Sequence, residues 1–527
     1  MSQVGDHESM QFSRMTTART YKDAINALNS LQSNFASIEA MKKLGPNVNR
    51  NELSINEVRE FTRRMGYHPL DFNKLNIIHV TGTKGKGSTS AFTESILRQY
   101  QPNPISKLGL YTSPHLKSVR ERIRINGKPI EQELFTKYFF EVWDRLSTTT
   151  SDPEQWPSLQ PCDVVKPMYF KYLTVLSYHV FLREGVNTAI YEVGVGGTYD
   201  STNIVEKPTV TAITALGIDH TFMLGNTIES ITENKTGIFK PSTPSFVSVQ
   251  TDYPQTHELI EKRAKELGAS SLTFVGQNEL PEKVELGLSG DFQKANASLA
   301  VCIADSHLQT LGLESQVEYD GKNKIKSLPP KFLKGLKEVD WPGRCQVIEN
   351  RPENITWYID GAHTLESINA SSTWFKNEQL KQNECNEQQY RKKRVLLFNQ
   401  QGRDNCEELL EKLYNVVCQQ EPSIKFDQVI FTTNTTWSSG EYNSELISKN
   451  TSQDSVKKLE IQNLFSNKWQ KLDGGSSQRF IFSDIESAIN HLKSDVAMGS
   501  NQSMDVFVCG SLHLVGGFLV VLDNERD

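Results

Sequence analysis

The feature that most constrains this chain is the run His79-Val-Thr-Gly-Thr-Lys-Gly-Lys-Gly-Ser-Thr89, which leaves an apolar stretch and opens an amphipathic one. Leu75–Val80 before it reads as a buried strand, and Phe92, Ile96, Leu97 and Tyr100 after it share one face of a helix. Gly82, Gly85 and Gly87 allow a tight turn whose backbone N–H groups come close to an anion. The helix N-terminus adds its dipole, Lys86 a positive charge, and Ser88 a hydroxyl suited to Mg²⁺. The spacing differs from GxxxxGK[ST], because Gly87 separates the lysine from the hydroxyl residue and the loop is shorter. Strand, phosphate loop and helix in this order predict an α/β domain that binds ATP through Gly82, Thr83, Lys84, Gly85, Lys86, Gly87 and Ser88.

The remainder of the chain supports that class. An amphipathic helical stripe over residues 20–41 (Tyr21, Ile25, Leu28, Leu31, Phe35, Ile38, Met41) precedes the loop. Buried strands are expected at Thr188–Val193, Val210–Leu216 and Phe246–Val249, with helices at 88–100, 171–183 and 256–267, the last closed by Gly268. Such alternation implies a mainly parallel sheet with helices on both faces. A second series begins after the lysine-rich stretch 322–337: strands at Thr356–Ile359, Val395–Phe398, Gln428–Thr432, Phe480–Phe482 and Val506–Cys509, with helices at 405–418 and 484–493. A boundary near 330 therefore divides an ATP-binding domain (1–330) from a smaller Rossmann-like α/β domain (331–527). Polar insertions at 146–162 and about 434–478 read as loops.

Composition excludes several classes. With 527 residues, 57 Lys plus Arg and 63 Asp plus Glu, the net charge is −6, which argues against a general nucleic-acid binder. The seven cysteines are scattered without a CxxC pair, so neither a zinc site nor a disulfide framework is expected. Leu512 to Leu522 is far shorter than the ~20 residues of a membrane span. Asp6 and Glu8 ahead of any apolar run count against a presequence. A cytoplasmic monomer is expected, with a mitochondrial form from another start left open.

Further candidates lie at strand ends. Glu192 closes Thr-Ala-Ile-Tyr-Glu ahead of Val-Gly-Val-Gly-Gly197, where open α/β sheets bind ligands. Beside a phosphate loop it would hold Mg²⁺, a cation that prefers oxygen ligands; otherwise it is a surface glutamate. Asp200 and Asn203 either orient a polar substrate or cap the next helix. His220, ending Gly217-Ile-Asp-His220, either ligates metal or satisfies a loop hydrogen bond, and Lys235 by itself reads as a solvated helix lysine. Arg344 of Trp341-Pro-Gly-Arg344 can reach phosphates bound to the other domain. Asp360 and His363 of Asp360-Gly-Ala-His363 contact ribose and second substrate, or are turn residues.

Taken in order, these segments resemble a known family. The phosphate loop, Thr112-Ser-Pro-His-Leu116, Arg120-Glu-Arg-Ile-Arg-Ile-Asn-Gly-Lys-Pro-Ile130, Glu192-Val-Gly-Val-Gly-Gly197, Gly217-Ile-Asp-His220, Leu224-Gly-Asn-Thr-Ile228, Trp341-Pro-Gly-Arg344, Asp360-Gly-Ala-His-Thr364 and Gly510-Ser-Leu-His-Leu-Val-Gly-Gly517 closely resemble those of the eukaryotic folylpolyglutamate synthases, in the Mur ligase superfamily. The resemblance runs from about residue 20 to about 520.

It implies an ATP-dependent ligase that joins L-glutamate to the γ-carboxyl of reduced folates and folylpolyglutamates through an acyl phosphate. It implies Mg²⁺ on Ser88, Ser113, Glu192 and His220, and leaves a monovalent cation such as K⁺ open. Carried over by position, Lys86, His220 and Lys235 are catalytic, the last at a position carbamylated in some relatives. Asn296 contacts adenine, Arg344 and Asp360 hold the nucleotide, and Ser113, Pro114, His115 and His363 contact substrate. No nucleic-acid partner is implied. Residues 399–404 form a loop one residue shorter than in animal relatives, leaving Arg403 without an assigned role. The nearest rival is a dihydrofolate synthase, which runs the same reaction on dihydropteroate.

Overall fold

The computed structural model describes residues 19–32, 50–277, 279–281, 283–320, 324–385, 392–401, 405–440, 444–446, 458–498 and 503–526. Phe35, Ile38, Met41 and Arg403 lie outside them. Within them, a helix Tyr21–Ser30 is capped reciprocally by Thr20 and Asp23 and buries Ala24, Ile25 and Leu28.

One sheet is built from β1 (Ile77–Thr81), β2 (Leu108–Tyr111), β3 (Ile123–Ile125), β4 (Lys128–Pro129), β5 (Thr188–Glu192), β6 (Val210–Ile213), β7 (Pro244–Ser248) and β8 (Ser271–Val275). Their spatial order is β4-β3-β2-β5-β1-β6-β7-β8, parallel except for the β3–β4 hairpin edge. Every residue of β1 is buried, with Ile77 on one face and Ile78 and Val80 on the other. That alternation is why the strand reads as a continuous apolar run: helices cover both sides.

After a short hairpin of β9 (Glu318–Tyr319) and β10 (Ile325–Ser327), the second sheet comprises β11 (Gln346–Asn350), β12 (Ile355–Asp360), β13 (Lys393–Phe398), β14 (Gln428–Thr432), β15 (Gln478–Phe482) and β16 (Met504–Cys509). Its order is β11-β12-β16-β13-β14-β15, with only β11 antiparallel. The expected two-domain α/β architecture is therefore present. Among the described residues no helix is long and apolar enough to cross a membrane.

Three sequence expectations shift. The division near 330 runs into the helix Pro330–Lys337, which packs with the first sheet: Phe332 and Leu336 join Ile96 and Leu97 in one core, and Ser95 Oγ donates to the Gly335 carbonyl at 2.7 Å. We propose the connection between domains at 338–343 instead. The loop read at 146–162 begins inside the helix Gln132–Thr148, and its path is organised by the buried Arg64. That guanidinium donates to the carbonyls of Leu146, Thr149 and Cys162. The polar insertion at 434–478 contains a helix, Glu460–Asp473, whose Phe465 and Trp469 are buried in the second domain. The signal was the four-residue spacing of Ile461, Phe465 and Trp469, diluted by polar neighbours.

The domains meet at the loop after β2. Leu116 inserts among Val515, Leu514 and Ile359 of the second domain, burial that contributes about 1.5–3 kcal/mol. Its carbonyl faces Gly516 so closely that a Cβ there would fall 2.0 Å from it. Gly516→Ala is therefore expected to push the final helix, Leu512–Leu522, off this loop, lowering both the melting temperature and turnover. A melting curve and turnover identical to wild type would show that the backbones do not meet there.

Candidate active site

The phosphate loop leaves β1 between β5 and β6, where chain connections depart to opposite sides of the sheet. Its shape is set by contacts that glycine alone permits. A Cβ at Gly82 would fall 1.8 Å from Thr214 Oγ1, and one at Gly85 (φ +85°) 2.2 Å from Asn296 Oδ1. The N–H groups of Thr83 and Lys84 both donate to the Ala215 carbonyl, at 2.8 and 3.1 Å. Lys84 also lies 3.8 Å from Asp219. Those two residues, expected to cradle phosphate with the rest, thus pin the turn to the segment after β6. The first intrahelical bond runs from Thr89 N to Gly85 O at 2.8 Å. The N–H groups of Lys86, Gly87 and Ser88 precede it and, as at any helix start, have no intrahelical acceptor. Ser88 Oγ accepts from Gln293 Nε2 at 3.3 Å, and Gln293 Oε1 accepts from Asn296 Nδ2 at 2.8 Å.

Glu192, at the end of β5, is buried beside this turn: a Cβ on Gly87 would lie 3.7 Å from one of its oxygens. Oε2 accepts from Ser113 N at 3.1 Å. Burial raises the carboxyl's pKa, opposed by the charges of Lys86, Arg344 and Arg122. Arg344 thus reaches from the second domain toward the carboxylate and also faces Asp360. Asp360 accepts from Cys345 N at 2.8 Å and Ala362 N at 2.9 Å, so its first task is to brace the two turns that carry Arg344 and His363. The His363 ring bonds the Gly361 carbonyl at 3.0 Å.

Lys235 is not a solvated lysine. It is buried on the helix Ile228–Thr236, and its Nζ donates to the Gly82 carbonyl at 2.8 Å. Burial, reinforced by Lys86, holds its pKa well below the usual lysine range. Asp200 caps the short helix Ser201–Ile204, whereas Asn203 lies inside that helix and braces its surroundings. Asp200 accepts from Thr202 N at 2.9 Å and Val195 N at 3.0 Å, and Asn203 donates to the carbonyls of Thr198 and Gly237.

The donor set fits a hard cation. A buried carboxylate penalised by burial and a serine hydroxyl on the facing helix are oxygen ligands of the kind Mg²⁺ takes. His220 stands apart from them in kind: it is exposed, in a left-handed conformation (φ 51°), with its N–H donated to Asp219 Oδ1. Among the described residues no three His, Cys, Asp or Glu side chains come together as a metal cluster.

Four side chains, Arg122 and Trp341 within quoted motifs and Tyr169 and Phe170 outside them, were given no role from sequence. Arg122 donates through Nε to His115 Nδ1 at 2.9 Å, and Tyr169 lies under its guanidinium at 5.4 Å. Trp341 Nε1 would lie 3.4 Å from a Cβ on Gly87, and its ring packs under Arg124. Phe170 crosses Gly194, where a Cβ would fall 2.4 Å from the ring. Only proximity across the fold marks them. His115, expected against substrate, is half-buried; its Nε2–H donates to the Glu445 carbonyl at 2.9 Å. Burial and Arg122 hold it neutral, with a pKa of about 3. Between the domains, residues 284–294 and the helix Leu365–Cys385 enclose a cleft of about 420 Å³ lined by Phe292, Asn369, Thr373 and Trp374.

A glycine-rich turn at a helix start, beside a buried carboxylate and an arginine from a second α/β domain, is the arrangement expected of a two-domain, nucleotide-dependent ligase. Residues 344–521 match the family model described as dihydrofolate synthetase, C-terminal domain. The whole chain is 71% identical to a folylpolyglutamate synthase of Candida albicans over that protein's full length. With 96% of its length it is 50% identical to a folylpolyglutamate synthase of Saccharomyces cerevisiae, strain FostersO, covering 87% of that protein. Among solved structures, a Mycobacterium tuberculosis folylpolyglutamate synthase complexed with ADP superposes with a TM-score of 0.64 at 21% identity, over 96% of this chain and 100% of that one. The chain belongs to the folylpolyglutamate synthase family, and it is a ligase.

Proposed function

We propose that the protein adds L-glutamate through its amine to the γ-carboxyl of tetrahydrofolate and its polyglutamates, with ATP converted to ADP and phosphate. The observation that carries this reading is Glu192: a buried carboxylate aimed at the helix start of the phosphate loop, with Lys86, Arg344 and Arg122 around it. The names of the similar proteins support the substrate class, as does a solved structure described as an FPGS-AMPPCP-folate complex.

A carboxylate is a poor electrophile, so the γ-phosphoryl group first passes to a γ-carboxylate oxygen, and ADP departs. The glutamate amine attacks the acyl carbon, loses a proton, and phosphate leaves from the tetrahedral intermediate. The chain supplies position and charge. The N–H groups of Lys86, Gly87 and Ser88 hold the phosphates, and the Lys86 ammonium offsets charge on the transferred group. Arg344 and Asp360 hold the nucleotide from the second domain. Asn296 and the cleft lined by Asn369, Thr373 and Trp374 take the adenosine portion. Glu192 and Ser88 would hold Mg²⁺, with Ser113 and His220 completing its ligands; the ion supplies a Lewis acid for the phosphate oxygens. Tyr169, Phe170 and Arg122 form an aromatic and cationic wall beside Gly194 suited to a flat, anionic substrate. Ser113, Pro114 and His363 flank it.

Purified protein given MgATP, L-glutamate and tetrahydrofolate should release ADP and yield products of increasing glutamate number by mass. ADP release with dihydropteroate and not with tetrahydrofolate would assign the rival synthase reaction. Release with neither overturns the reading.

Lys235 provides a second test. Its depressed pKa favours the neutral amine, which can add CO₂ and lose a proton to give a carbamate. Depleting bicarbonate is expected to lower turnover severalfold, with recovery on its return and no recovery in Lys235→Arg. A rate indifferent to bicarbonate would exclude the carbamate.

A further inference from the structure

The loop carrying Ser113 is tied to the second domain by Leu116, by Lys117 Nζ on Asp523 and Glu525 at 2.8 Å each, and by a side chain outside the site described above, Glu445. Glu445, on the short turn Ser444–Leu446, directs Oε2 at three donors of the first domain: Val119 N at 2.7 Å, Ser118 Oγ at 2.8 Å and Tyr21 Oη at 2.8 Å. Its carbonyl accepts the His115 Nε2–H at 2.9 Å, and His115 in turn accepts Arg122 Nε–H. The amides of Leu116, Lys117 and Ser118 are satisfied locally by Glu121, at 2.7, 2.9 and 2.9 Å. The loop is thus pre-shaped by Glu121, whereas Glu445, together with Leu116 and the Lys117 ion pairs, sets where that shape sits relative to the second domain. At the loop's start, Ser113 N reaches Glu192. One end of a short segment is therefore clasped by the second domain while the other orients the buried carboxylate.

We infer that Glu445 is a positioning residue: by gripping Ser118 and Val119 across the domain junction it holds Ser113 on Glu192, and so sets the cation affinity of the site. This rests on the reading of Glu192 as the magnesium carboxylate. A group that orients a ligand without touching the metal typically changes affinity by about 10–100-fold when lost.

Three variants of the full-length chain test it. In Glu445→Ala, hydrogen exchange across 112–122 should accelerate while the helix 86–98 keeps its protection. The magnesium concentration that half-saturates nucleotide binding should rise about tenfold, with metal-free ADP affinity unchanged. Glu445→Gln retains an oxygen for the same three donors and should restore both properties. Ser118→Ala, which removes one donor, should give the same effects in weaker form if Glu445→Ala proves unstable. Wild-type exchange at 112–122 in Glu445→Ala, or a magnesium requirement that Glu445→Gln shifts as far as Glu445→Ala does, overturns the proposal. Should the wild-type protein bind no nucleotide, the functional reading fails, and the exchange measurement still decides whether the clasp holds the loop.

Discussion

Lys86→Ala is expected to lose ligation by about a thousandfold or more while melting within a few degrees of wild type. The size follows from the place of the charge. A preorganised donor at a developing anion contributes about 100–1,000-fold, and a full positive charge on a transferred phosphoryl group lies at or beyond the upper end. The fold is spared because Lys86 is only partly buried and supports no core contact. Removing it also relieves a repulsion on the buried Lys235, whose ammonium it disfavours. Turnover measured beside a thermal melt checks both halves. Unchanged turnover would remove the phosphate loop from the chemistry.

Glu192→Gln is expected to separate activity from stability in opposite directions. The carboxyl's pKa is raised in the folded state, first by burial. Such a group binds its proton more tightly folded than unfolded. Its ionisation therefore costs stability as pH rises from the ordinary carboxylate value through the raised folded one, and the cost persists above that. The neutral amide escapes it. Without nucleotide and magnesium, the variant should melt above wild type near neutrality. The gap should close as pH falls toward the ordinary carboxylate range. Magnesium-dependent turnover should drop at least about a hundredfold, because an amide is a weaker ligand and carries no charge. A variant that melts no higher than wild type at any pH would show that Glu192 is not penalised by burial.

The elements legible in the sequence share one property: local physics and tertiary environment ask for the same residues. Gln428–Thr432 is an apolar run because helices cover both faces of its sheet, and its observed bounds coincide with the expected ones. Gly268, at φ +73°, closes its helix because the turn needs a left-handed residue. Where a polar side chain serves the interior, local pattern misleads. The 146–162 segment reads as an unstructured excursion because the group that organises it, Arg64, is charged and distant in sequence. The helix Glu460–Asp473 was hidden by its solvent face.

The sequence by itself determined the phosphate loop, the alternating α/β layers, the second domain and the chemical types at the strand ends, because each is encoded within a few neighbouring residues. Only the tertiary structure decided which of them meet. It turned Lys235 from a helix lysine into a buried donor to Gly82, assigned Asp200 and Asn203 to bracing, and drew Arg122 and Arg344 around Glu192. It also brought Glu445 across from the second domain onto Ser118. The physical reason is that burial and charge proximity depend on how distant segments pack, and no spacing along the chain records them.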